Sequence, residues 1–150
     1  MNLSWKSNFS GTECRIFRDK LIVGLLKTSL WKGDGYGELH GNLLRFKTKG
    51  FWKQTTEIWD IDGKRVLGDI RYHVLKSTAT ITYEDMSYHW QFNSWTRKQW
   101  VVSNENDTAS FELKSFWKND GVIENEQIPA AIILIALYVH GHYRKISSSS

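Results

Sequence analysis

The sequence predicts a mainly β protein: a closed antiparallel β-barrel of ten to twelve strands around one C-terminal hydrophobic α-helix. Residues 128–139 read Ile-Pro-Ala-Ala-Ile-Ile-Leu-Ile-Ala-Leu-Tyr-Val, with no charge and no polar stripe. A helix that is apolar all round must be enclosed. The chain before it breaks into about ten short segments at the 8–12-residue spacing of a sandwich or barrel. The 150 residues also include eight Trp, six Tyr and seven Phe, and aromatic side chains favour pleated, half-buried surfaces. A helix with its side chains is ~10–12 Å across. An eight-stranded barrel has room only for side chains or one small ligand, so a threaded barrel needs more strands than that.

The elements follow in order. Residues 21–26 (Leu-Ile-Val-Gly-Leu-Leu) form a short apolar run between Lys20 and Lys27, read as a strand buried on both faces. Residues 31–37 are glycine-rich and read as a turn region. From Leu39 to Thr48, Leu44, Phe46 and Thr48 alternate with Arg45, Lys47 and Lys49, the period of a strand with one face inward. A hairpin follows, with strands at 55–61 and 64–72 and a type I′ turn expected at Asp62-Gly63. Residues 77–83 alternate again, Glu84-Asp85 turn the chain, and Tyr88, Trp90 and Phe92 alternate with polar neighbours. That spacing points Trp90 inward. Further strands are expected at 100–102 and from Phe111 toward Trp117, with turns at 104–107 and 119–121. Leu30-Trp31-Lys32 before Asp34-Gly35 is echoed by Phe116-Trp117-Lys118 before Asp120-Gly121. Two copies do not make a repeat protein.

For the helix, Asn125, Glu126 and Gln127 ahead of Pro129 supply a start. Gly141 with His142, Arg144 and Lys145 supplies an end. Residues 1–146 are expected to be one domain, and residues 147–150 a disordered serine tail. An apolar run of about twelve residues reaches only ~18 Å at 1.5 Å per residue, short of the ~30 Å of a bilayer core.

With 20 Lys and Arg against 16 Asp and Glu the formal charge is +4. That permits attraction to anionic partners without demanding it. A single cysteine, Cys14, excludes an internal disulfide and a cysteine-based zinc site. The N-terminal residues lack the apolar core of a signal peptide. The expected location is the cytoplasm, with peripheral membrane contact.

The run of hairpins around residues 59–68 (Trp-Asp-Ile-Asp-Gly-Lys-Arg-Val-Leu-Gly), the aromatic-rich strand order from Leu39 to Trp117, and the closing apolar helix together resemble the tubby C-terminal-like superfamily. This group includes tubby domains and phospholipid scramblases. The resemblance implies a non-enzymatic barrel that works at membranes; tubby domains hold phosphoinositide head groups through basic side chains.

The leading site candidate is Arg45, Lys47 and Lys49 with Lys53. Positions 45, 47 and 49 share one face of a strand, and three cations there attract an anionic phospholipid head group. Trp52 is the accompanying membrane-interface aromatic. The competing reading is a solvated outer face whose lysines discourage edge pairing. Arg97 and Lys98, between Trp95 and Trp100, form a second basic spot. His140 and His142 stand two apart and do not share a helix face, so they read as helix-end histidines, and no metal or cofactor is expected. Asp60 and Asp62 have the wrong spacing for a calcium loop. No nucleophile elbow, Walker sequence or dinucleotide fingerprint is present. The expected partner is anionic membrane lipid or another protein, with no nucleic acid. The alternatives are a lipocalin-like carrier of a small apolar ligand, with a hollow barrel, and a small tail-anchored membrane protein.

Overall fold

The computed structural model describes residues 2–29, 33–49, 54–115 and 118–149. Twelve strands come first: β1 (Asn2–Ser7), β2 (Glu13–Arg18), β3 (Leu21–Thr28), β4 (Gly35–Leu39), β5 (Asn42–Lys49), β6 (Thr55–Asp60), β7 (Val66–His73), β8 (Thr78–Tyr83), β9 (Met86–Phe92), β10 (Gln99–Ser103), β11 (Thr108–Leu113) and β12 (Asp120–Glu124). Each pairs antiparallel with its neighbours in the chain, and β12 pairs with β1, from Asn2 opposite Glu124 to Lys6 opposite Asp120. The sheet therefore closes with no free edge. A single helix, α1 (Ala130–Ser149), occupies the lumen, and every residue from 131 to 140 is buried. The predicted barrel and its apolar rod are both present, at the upper end of the expected strand number.

Alternation decides which side chains meet the helix. Leu3 and Trp5, Leu44 and Phe46, Ile70 and Tyr72, Trp90, Trp100 and Val102, and Phe111 are all buried, while their strand neighbours face out. Trp90 is fully buried and donates from Nε1 to the Ala136 carbonyl of the helix, 3.2 Å away. Trp100 stacks on Phe111 on one side (5.3 Å, 9°) and on His140 on the other (3.7 Å, 11°). Offset stacks of this kind add about 0.5–1.5 kcal/mol beyond area burial.

Several local expectations need correction. The glycine-rich stretch is largely a strand: Gly35 and Gly37 lie in β4 and face the lumen, where a Cβ on Gly37 would meet Leu134 Cδ1 at 3.0 Å. These glycines make room for the helix rather than bend the chain. β3 is buried on one face only: Gly24 and Leu26 are buried, while on the other face Leu21 and Lys27 are exposed and Val23 and Leu25 half-buried. The Asp62-Gly63 turn is not a two-residue type I′ turn. The loop 61–65 is organised instead by the Asp60 carboxylate, which accepts from the backbone N–H of Lys64 (2.7 Å) and Arg65 (3.1 Å). Positive φ at both central residues, the type I′ requirement, occurs at His40-Gly41 (49° and 81°) and Glu84-Asp85 (47° and 67°). β11 stops at Leu113, well short of residue 117.

The helix also runs further than expected, through residues 147–149, so these serines are not a disordered tail; Ser150 lies outside the described residues. Gly141 does not end it, and His140 and His142 are buried mid-helix side chains rather than helix-end cations. The start is as read: Asn125 Oδ1 accepts from Ile128 N–H (2.9 Å) and Asn125 Nδ2 donates to Ile128 O (2.8 Å).

Candidate functional site

On the outer wall, Arg45, Lys47 and Lys49 do share one face of β5, but their surroundings differ. Arg45 stands opposite Tyr36 of β4, and Tyr36 stands opposite Lys27 of β3. Side chains directly opposite one another have Cβ atoms ~4.5–5.5 Å apart. Lys27, Tyr36 and Arg45 therefore form a row of cation, aromatic and cation across three strands, with Lys47 one step along β5. These four side chains, with Asp34, line an open groove of about 440 Å³. That volume falls within the ~300–1,000 Å³ range of ligand sites.

Several of the cations on this wall have close partners of their own. Lys49 Nζ lies 2.9 Å from Glu57 Oε1, and this hydrogen bond holds the Glu57 carboxyl below its ordinary value. Trp59 Nε1 donates to the same oxygen at 3.2 Å, and Lys47 Nζ sits 4.5 Å from the centre of the Trp59 ring. Lys27 has Glu13 Oε1 at 3.7 Å, a long and exposed ion pair of the kind that contributes little. Arg97 and Lys98 belong to a separate place, the connection between β9 and β10. Arg97 donates to Ser77 Oγ (2.8 Å) and Ser147 Oγ (3.3 Å) and covers the Phe92 ring at 4.9 Å. It ties two connections to the end of the helix. Trp52 and Lys53 lie outside the described residues. Lys27 and Tyr36 escaped the sequence reading because only the register of β3, β4 and β5 brings them to Arg45.

The lumen offers a second space, a cavity of about 230 Å³ beside the last buried turns of the helix, lined by Trp5, Cys14, Leu26, Leu137, His140 and Lys145 among others. It is smaller than a typical ligand site, and the buried residues 131–140 of the helix occupy the lumen beside it, where a hollow carrier would have open space. Burial pushes the Cys14 thiol up to about 12, which leaves almost no thiolate at neutral pH. Burial also holds the His140 imidazole well below its ordinary value. Neither group is disposed for nucleophilic chemistry.

Polar groups in the lumen form a chain. Tyr138 OH donates to the Gly33 carbonyl. Its one proton being committed there, it accepts from Thr48 Oγ1 (2.8 Å), which accepts from Thr56 Oγ1 (2.8 Å), which accepts from Tyr72 OH (2.9 Å). Burial raises the pKa of both phenols. The chain satisfies buried hydroxyls, as a packed interior requires.

Among the described residues no group of three or more His, Cys, Asp or Glu side chains is placed to hold a metal ion, and no helix is long and apolar enough to cross a membrane. No protein-family model, curated protein or solved structure matches the chain.

Proposed function

We propose that this barrel is a non-catalytic domain that holds a phosphate-bearing anionic head group in the groove between β3 and β5. The observation that carries the reading is that Lys27, Tyr36, Arg45 and Lys47 all line one groove of about 440 Å³. Arginine offers a planar fork that matches phosphate oxygens, the lysines add point charges, and Tyr36 supplies a hydroxyl donor. Lys49 is left out of the role because it does not line the groove. The resemblance to the tubby-like barrels, whose basic side chains hold phosphoinositide head groups, motivates the head-group reading.

Vesicle co-sedimentation tests it. Each Lys or Arg near an anionic surface contributes about 1 kcal/mol, so replacing Lys27, Arg45 and Lys47 together by Gln is expected to weaken binding to phosphoinositide vesicles about a hundredfold at low salt. Lys49→Gln is expected to change it less than threefold. Equal losses from the two variants would reject the groove as the site.

A further inference from the structure

The antiparallel meander sends alternate connections to opposite ends of the barrel. One end carries the β1–β2, β3–β4, β5–β6, β7–β8, β9–β10 and β11–β12 connections and the C-terminal end of α1. The other carries the remaining connections and the entry to α1.

The two ends have opposite charge. At the first end the described connection residues include Lys76, Arg97, Lys98, Lys114 and Lys118 against one acid, Asp34. At the second, Asp19, Asp62, Glu84, Asp85, Glu105, Asp107 and Glu126 outnumber Lys20, Lys64 and Arg65. The extremes of apolar exposure follow the same division. The most exposed large hydrophobic side chains are Phe9 (109%), Leu75 (102%) and Trp95 (94%). They lie in the β1–β2, β7–β8 and β9–β10 connections, all at the cationic end. Leu21, Val66 and Met86, the first residues of β3, β7 and β9 at the acidic end, are also exposed but are more covered than these three (72%, 47% and 53%). In the closed order, the β1–β2 connection is diametrically opposite β7–β8, and β9–β10 is the next connection at this end, so the tips stand on two opposite sides of the rim.

We infer that this rim is a membrane-docking face, and that the barrel stands end-on upon an anionic bilayer with Phe9, Leu75 and Trp95 entering the interface. Single exposed hydrophobics are ordinary. Three fully exposed apolar tips among cations, opposite an acidic end, have the composition of an interfacial anchor: aromatic and aliphatic groups enter the head-group layer while lysines and arginines meet anionic lipid. The acidic end would be repelled by the same surface, which fixes the orientation. Arg97 holds the two connections bearing Leu75 and Trp95 together through Ser77 and the end of the helix through Ser147.

The inference deepens the head-group reading and rests on it in one respect: the groove must lie at head-group depth. Lys47 is two residues from the rim end of β5, and Lys27 one residue from the rim end of β3. At ~3.3 Å per residue the backbone of Lys47 and Lys27 lies within about 7 Å of the rim ends of their strands, and that of Arg45 about 13 Å away.

Two variants and two ligands separate the claims. The rim variant carries Phe9→Ser, Leu75→Ser and Trp95→Ser; all three side chains are exposed, so its melting temperature should match that of the parent. It is expected to lose at least tenfold in binding to phosphatidylcholine vesicles containing one-fifth phosphatidylserine, and to keep its affinity for soluble inositol trisphosphate. An environment-sensitive fluorophore on Leu75→Cys should brighten and shift to the blue with these vesicles, and one on Glu105→Cys should not. Vesicle binding unchanged in the rim variant, equal responses at the two labels, or no vesicle binding by the parent would each overturn end-on docking. Loss of trisphosphate binding in the Lys27, Arg45 and Lys47 variant supports the groove. Failure of the parent to bind trisphosphate, with rim-dependent vesicle binding intact, would sink the head-group reading and leave docking standing.

Discussion

The two ends of this barrel are made by the same strands and differ in how the strands are joined. At the acidic end several joins are two-residue turns, and His40-Gly41 and Glu84-Asp85 adopt the positive φ that such turns require. At the cationic end the joins are longer and carry Phe9, Leu75 and Trp95 into solvent. Tight turns close a barrel with little chain and offer little surface. Long connections sacrifice economy and present side chains, which is where binding residues concentrate. The contrast therefore separates a structural end from an end available for contact. The helix spans both, fixed by Asn125 at its entry and by Tyr138 and Arg97 near its exit.

The strongest way to break the comparison is to remove the rod the two ends share. Ile133 is completely buried in the lumen. Ile133→Asp is expected to cost more than about 4 kcal/mol, because a carboxylate there has neither water nor a partner. Circular dichroism and thermal melting should show loss of the cooperative transition; a folded variant with a near-parental midpoint would mean the helix does not support both ends.

Tyr138→Phe should loosen the cationic end alone. It orphans the Gly33 carbonyl and leaves Thr48 without its acceptor, a cost of about 1–3 kcal/mol. For a domain this size that lowers the melting temperature by roughly 2–4 °C per kcal/mol. Hydrogen exchange should quicken around residues 33–37, with the 40–41 and 84–85 turns unaffected; uniform quickening would argue against separate ends.

His140 gives a smaller, pH-dependent effect near the same end. Its folded pKa is held well below 6.5 by burial, so the unfolded chain takes up a proton that the folded chain refuses. Stability from this group is complete above about pH 6.5 and declines as the pH falls below it, by up to ~1.4 kcal/mol per pH unit. Denaturant melts between pH 7 and 5 should show that decline, and His140→Phe, which keeps the stack on Trp100, should reduce its slope. An unchanged slope would assign the decline to other groups.

The smallest change belongs to the acidic end. Glu105→Lys with Glu126→Lys should alter the affinity for anionic vesicles less than twofold, since these positions face away from the bilayer by more than the ~10 Å screening length at 0.1 M salt. A gain approaching that produced by adding a lysine to the rim would mean the barrel does not stand on one end.

Much of the fold was legible because two periods dominate the chain. Leu44, Phe46 and Thr48 against Arg45, Lys47 and Lys49 report a strand on their own, and residues 128–139 report an enclosed helix. β1, β2 and β12 were not read: each is short, and Leu3, Trp5, Ile16 and Ile123 leave only one or two inward apolar positions per strand. β4 was hidden by its glycines, which usually mark turns but here mark the close approach of Leu134. Of the basic candidates, Arg45 and Lys47 reach the groove, while the structure gives Lys49 to Glu57 and Arg97 to Ser77 and Ser147.

The sequence by itself determined the class of molecule, because alternation and an all-apolar helix are local properties that each segment carries alone. Only the tertiary structure decided the register that aligns Lys27, Tyr36 and Arg45, and the closure that gathers cations and apolar tips at one end. Both depend on pairing between distant segments, and a one-residue slip in any pairing would turn those side chains to the opposite face.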